Sequence, residues 1–211
     1  IHADQHGMTF HPTNSATLYV GNDGGVFKST NSGSSWSDIS SGLAITQFYR
    51  LGVSQTNVNR IFGGTQDNGT NRVLNGAWEQ VLGGDGMESL IDYSDENIGY
   101  AELYYGDIYR TTDGGNSFSY ISGTFGGNGG WVTPYIINPV NPKSIYAGTT
   151  NVYKSTNRGT TWTAISGSLS GGTLASIAVA KSDTNTIYAA DYSWVYKTTN
   201  GGTNWTNVTS G

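Results

Sequence analysis

Acidic residues set among glycines are the first places in this sequence where chemistry could reside. Asp23 stands before Gly24-Gly25, and Asp85 sits between Gly84 and Gly86. Two carboxyl groups flanking a glycosidic bond, one kept protonated as the acid and one ionised, are what sugar hydrolysis requires. Asp-Gly is also a common turn dipeptide, since Asp bonds its own backbone and Gly accepts φ > 0. Both readings stand at each position. His2, Asp4 and His6 alternate along the chain. Extended, they point to one side, and two imidazoles with a carboxylate suit zinc or another transition metal. The competing reading has them hydrogen-bonding locally or lying in a frayed end. Acidic turns could hold calcium, but no twelve-residue calcium loop is present, and no cofactor is required by anything in the sequence.

A second group of residues has the character of a binding surface. Asp67, Asp107 and Asp191 stand in short polar stretches, and Trp131, Tyr192 and Trp194, with Tyr104 and Tyr105, accompany them. Aromatic faces stack on sugar rings or anchor a protein partner. The same rings could equally pack between structural repeats.

Composition narrows the partners. The 211 residues carry a net charge of −5 with only ten Lys plus Arg, so no basic stripe is available to neutralise phosphates, and nucleic acid is excluded as a partner. A polysaccharide or a protein fits better. There is no Cys, which removes disulfides and thiolate metal sites. No apolar run reaches the length of a membrane span. The chain opens on Ile1 rather than Met. We expect a processed chain or an excerpt of an exported bacterial protein, extracellular or at the cell surface, with further blades or domains of the same polypeptide among its possible partners.

The elements that must position these residues come from internal repetition. An aromatic residue recurs at Trp36, Trp78, Phe118, Trp162 and Trp205, at intervals of 42, 40, 44 and 43 residues. Each repeat holds four short strands. An apolar first strand (Met8-Thr9-Phe10, Leu51-Gly52-Val53, Leu90-Ile91-Asp92, Tyr135-Ile136-Ile137, Ile177-Ala178-Val179) is followed by a polar turn and a second strand such as Ile145-Tyr146-Ala147. The third is apolar, aromatic and basic, as in Val152-Tyr153-Lys154, and the fourth starts at the recurring aromatic. Period-two alternation in four short strands per repeat of about 40 residues predicts an all-β propeller of four-stranded antiparallel blades. Five blades fall at roughly 1–41, 42–83, 84–123, 124–167 and 168–211, either as a closed ring or as a segment of a larger propeller.

Before four of the five aromatics lies one motif: Ser29-Thr30-Asn31-Ser32-Gly33-Ser34-Ser35-Trp36, and its counterparts ending at Phe118, Trp162 and Trp205. The hydroxyl and Asx side chains can bond backbone N–H groups inside the turn, and Gly supplies φ > 0. Asn31, Gly33 and Trp36 therefore hold structural positions, as do Asp113, Gly115 and Phe118, then Asn157, Gly159 and Trp162, then Asn200, Gly202 and Trp205. The second repeat has only Asn75-Gly76, suited to a tight hairpin.

These turns resemble the Asp-box, or bacterial neuraminidase repeat, pattern of Ser/Thr-x-Asp-x-Gly-x-Thr/Ser-Trp/Phe, with Asn in place of Asp except at Asp113. The resemblance covers the whole chain as repeats and implies kinship with xyloglucanase-type glycoside hydrolases, sialidases or sortilin-type domains. Asp23 and Asp85 resemble the Asp-Gly turns that carry catalytic aspartates in xyloglucanase-type propellers. The sialidase branch finds no support, because Arg50, Arg60 and Arg72 are scattered rather than clustered.

In such a blade the Asp-box turn shares one face with the turn between the first two strands. Asp23, Asp67, Asp107, Asp85, Trp131, Asp191 and Trp194 fall on the other. The sequence favours an exported carbohydrate- or protein-binding or structural module, with a xyloglucanase-like hydrolase using Asp23 and Asp85 as the alternative.

Overall fold

The computed structural model describes residues 1–125 and 128–210. Gly126 and Gly127, in the Gly-rich loop before Trp131, lie outside the described residues. The chain forms five antiparallel sheets of four strands, each sheet ordered as its strands follow in sequence. The first holds β1 (Gln5–His11), β2 (Asn14–Asn22), β3 (Gly25–Ser29) and β4 (Ser37–Asp38), the second β5 (Phe48–Val53), β6 (Ile61–Thr65), β7 (Gly69–Leu74) and β8 (Ala77–Leu82). The third holds β9 (Ser89–Ile91), β10 (Gly99–Leu103), β11 (Asp107–Thr111) and β12 (Ser119–Tyr120). The fourth holds β13 (Tyr135–Ile137), β14 (Ile145–Gly148), β15 (Val152–Ser155) and β16 (Thr163–Ala164), and the fifth β17 (Ser176–Val179), β18 (Ile187–Ala190), β19 (Val195–Thr198) and β20 (Thr206–Asn207). This is the expected all-β propeller with five four-stranded blades.

One cross-strand pair recurs in every blade and explains the basic end of each third strand. Tyr19 faces Lys28, Phe62 faces Arg72, Tyr100 faces Arg110, Tyr146 faces Lys154 and Tyr188 faces Lys197. In the three Lys pairs the ammonium lies 5.5–5.8 Å from the ring centroid. A cation over an aromatic face is worth about 0.5–1 kcal/mol at exposed sites.

The hydroxyl–Asx–Gly–aromatic turns are built alike in all four copies. In the fourth blade the Asn157 side-chain oxygen accepts the Ser155 hydroxyl (2.9 Å) and the Thr161 N–H (2.9 Å), while Ser155 Oγ accepts Gly159 N–H (2.8 Å). Asp113 adds the Ser117 hydroxyl at 2.6 Å, and these bonds hold its carboxyl well below the usual range. Beyond closing its own hairpin, the turn staples the third, fourth and fifth blades each to the one before. Trp162 Nε1 donates to Ile121 O (2.8 Å), and Trp205 Nε1 donates to Ile165 O (2.9 Å). The Phe118 and Phe62 rings lie 6.2 Å apart, and Arg72 Nη1 donates to Gly114 O at 2.8 Å. The aromatic thus works in the joint between blades.

Apolar residues from neighbouring blades meet in those joints. Ile98, Tyr100 and Ile108 pack with Tyr135, Ile145 and Ala147, and Tyr146 and Val152 pack with Leu174, Ile177, Ile187 and Ala189. The first blade is the exception: Met8 is 66% and Phe10 58% exposed on β1. Among the described residues no hydrogen bond, ion pair or ring contact joins the first sheet to the fifth, and Trp36 makes no bond equivalent to those of Trp162 and Trp205.

Candidate functional site

The turns between second and third strands, the links between blades and the entry segment meet on one face. Asp23 comes from the β2–β3 turn, Asp67 from the β6–β7 turn, Asp85 from the β8–β9 link and Asp4 from the segment before β1. Oxygens of Asp4, Asp23 and Asp67 all lie within 4.8 Å of one another. Asp85 Oδ1 accepts the Asp67 N–H at 2.8 Å. Asp67 takes the left-handed backbone conformation, with φ 60°. That conformation is open to Asp and Asn more than to most residues, and it turns the peptide N–H towards Asp85.

Electrostatics follow from this crowding. Burial, then the charges of Asp85 and Asp23, push the Asp67 carboxyl up to about 6. Like charges this close oppose ionisation of the middle member. His6 Nε2 lies 2.5 Å from Asp23 Oδ1, and this bond, reinforced by the charge of Asp23, raises the imidazole pKa. His2 Nε2 donates to Asp67 O at 2.7 Å. Both imidazoles of the alternating His2, Asp4, His6 segment are thus engaged by the turns beneath, and Asp4 joins Asp23 and Asp67 instead. A small cavity of about 200 Å³ adjoins, lined by Asn22, Asp23, Ile45, Gln47, Gln66 and Asp67.

A larger cavity of about 430 Å³ opens where the inner strands of blades two to five converge. Tyr49, Arg50, Glu88, Trp131, Thr173 and Tyr192 supply its polar and aromatic lining, and Leu90, Ile136, Leu174 and Ile177 its apolar floor. Arg50 Nε stands 3.5 Å from Glu88 Oε2. Burial raises the Glu88 carboxyl, opposed by the Arg50 charge. Trp131 Nε1 donates to Tyr49 Oη at 3.1 Å, and that hydroxyl donates to Gln66 Oε1 at 3.0 Å. Gln66 also lines the small cavity, so this chain of bonds links the two.

Buried Glu102 fixes the aromatic wall. Its carboxyl accepts N–H groups from Thr133 (2.7 Å), Gly106 (3.3 Å) and Glu88 (3.3 Å), tying together the Trp131 loop, the Tyr104–Gly106 turn and the segment entering β9. Burial outweighs these donors and pushes it up to about 8. Tyr104 stacks on Trp131 at 5.5 Å, and Tyr105 meets Trp131 edge-on at 5.3 Å.

The sequence candidates therefore separate. Asp23, Asp67 and Asp85 come together with His2, Asp4 and His6, and Trp131 and Tyr192 line the larger cavity. Asp107 accepts the Tyr120 hydroxyl at 3.0 Å. Asp191 Oδ1 accepts the N–H groups of Ser193 and Trp194, both at 2.7 Å, and is lowered by these and first by the Ser170 hydroxyl. Asp191 thereby caps its own turn, on which Trp194 is carried. Tyr49, Arg50, Glu88 and Thr173 were not singled out from sequence. A position two residues after Gly86, directly before an inner strand, is the signal that Glu88 carried.

No protein-family model matches the chain. A stretch of 125 residues, 57% of this chain, is 34% identical to a xyloglucanase of Hypocrea jecorina (strain QM6a), of which it spans 14%. An ancestral GH74 enzyme superposes with a TM-score of 0.65 at 23% identity, over 99% of this chain and 31% of that one. The GH74 xyloglucanase from Xanthomonas campestris superposes with a TM-score of 0.58 at 16% identity, over 95% of this chain and 37% of that one. These likenesses establish the propeller fold, which the chain shares with glycoside hydrolases.

Proposed function

We propose that this chain belongs to a glycoside hydrolase acting on a β-glucan of the xyloglucan kind, with Asp67 as the proton-holding acid. The observation that carries this reading is the crowding of Asp67 against Asp23, within 4.8 Å, and Asp85, which accepts its N–H at 2.8 Å; that crowding goes with a carboxyl pushed up to about 6. A carboxyl that keeps its proton up to about pH 6, where an ordinary one is ionised, is what a leaving glycosidic oxygen needs. Asp23 and Asp67 approach within 4.8 Å. That is closer than the ~6.5–9.5 Å that admits a water between an inverting pair. The two therefore act as one proton-sharing unit on the acid side of the bond, in place of the Asp23 and Asp85 pair read from sequence, and the base that takes a proton from the attacking water on the opposite face comes from outside this cluster. Asp85 holds the Asp67 backbone, and His6 orients Asp23.

The binding or structural module favoured by sequence gives way here because of the xyloglucanase likeness and this carboxyl cluster. We assign the four recurrent turns to the Asp-box type, and read the chain as exported, where such polysaccharides occur. Release of reducing ends from xyloglucan tests the proposal. Asp67→Asn and Asp23→Asn should each cut the rate by about a hundredfold or more, as loss of a general acid does. Binding of the polysaccharide with no turnover by the unaltered chain would return the module reading.

A further inference from the structure

We infer that the larger cavity is a pocket for one neutral hexose unit, gripped by Arg50 and Glu88 and stacked on Trp131 and Tyr192. The inference rests on the carbohydrate reading above, but assigns a different set of residues from the carboxyl cluster. Its volume, about 430 Å³, lies within the roughly 300–1,000 Å³ of pockets that hold small ligands.

The lining has the two characters that a sugar ring has. Hexose hydroxyls both donate and accept, and their C–H faces are apolar. Arg50 supplies donors only and Glu88, when ionised, acceptors only, so adjacent hydroxyls can satisfy both at once. Thr173 adds a hydroxyl to the same lining. Tyr192 borders the same cavity and is 95% exposed, so its ring is accessible to a ligand there. The Trp131 indole is held by Tyr49 and by stacking on Tyr104, so it offers a fixed wall with little ordering left for a ligand to complete.

Charge selects the ligand class. Arg50 and Glu88 stand 3.5 Å apart and offset one another, and the chain as a whole carries −5. A phosphorylated or uronic sugar would meet no uncompensated cation here. A neutral glucan unit meets a neutral pocket. The Trp131–Tyr49–Gln66 chain of bonds runs from this pocket to the cavity beside Asp67, so the wall of the one is held by a residue lining the other.

The test is a titration of the full chain with cellotetraose, following the Trp131 indole N–H resonance, assigned by its loss in Trp131→Phe. The resonance is expected to shift and saturate, and tetragalacturonate is expected to leave it in place. Arg50→Ala and Glu88→Gln should each weaken binding about tenfold or more, the usual effect of losing one hydrogen bond to a charged group. Tyr192→Ala, at a position too exposed to threaten folding, should weaken it about fivefold. An indole signal indifferent to cellotetraose, or three variants that bind as the unaltered chain does, overturns the pocket. Binding needs no bond cleavage, so an inactive chain that still binds sinks the hydrolase reading alone. An active chain whose indole ignores the sugar sinks the pocket alone.

Discussion

Replacing Asp67 by Asn should stabilise this protein at neutral pH, although it removes a side chain from the candidate site. A carboxyl moved from 3.8 to about 6 carries roughly two pH units of unfavourable interaction in its ionised form. At about 1.4 kcal/mol per unit the ceiling is about 3 kcal/mol. Asp67 is only partly buried, so solvent screening brings the expected gain to about 1–2 kcal/mol. The sign follows from linkage: the folded pKa is the higher one, so the group's contribution is intact below about pH 4 and is lost as pH rises through 6. Asn removes that loss and suits the φ of 60° at this position. Urea unfolding of both proteins at pH 3.5 and pH 7.5 measures it. The Asn variant should gain about 1–2 kcal/mol relative to the unaltered chain between the two conditions. A variant equally or less stable at pH 7.5, with a difference that ignores pH, would refute the crowded-carboxyl account.

Three further outcomes are expected. Trp162→Phe and Trp205→Phe should each cost about 1 kcal/mol in urea unfolding by deleting the indole bond to the preceding blade, whereas Trp36→Phe, with no such bond, should cost less. Glu102, held up to about 8 by burial, contributes in full below about pH 4.5 and loses that contribution as pH rises through 8; Glu102→Gln should flatten the fall in melting temperature across that window. Gly202→Ala should destabilise by about 2 kcal/mol or more, because φ is 103° and an added Cβ would lie 2.7 Å from Ile165 Cβ and its carbonyl oxygen; circular-dichroism melts would show it, and a neutral effect would contradict the joint as described.

The features legible in the sequence are those set by neighbours along the chain. Period-two alternation around Tyr135-Ile136-Ile137 or Ile145-Tyr146-Ala147 marks strands because side chains alternate across a pleat. The Ser155, Asn157 and Gly159 turn was legible because its bonds span two to four residues. Five repeats of such units leave little choice but a propeller, and the grouping of Asp23, Asp67 and Asp85 on one face follows from counting strands. Which residues then touch is a matter of blade placement. Asp67 lies 44 positions from Asp23, Trp162 donates 41 positions back to Ile121, and Trp131 reaches 82 positions back to Tyr49. No local pattern encodes such contacts. They depend on how far each blade rotates from the last and on which side chains that rotation brings face to face. That is why Arg50 looks like one of several scattered cations, and why Glu88 passes unnoticed just before its inner strand. The repeats and turns of this protein are local chemistry, while the crowded carboxyls around Asp67 and the cavity beside Glu88 exist only where separate blades converge.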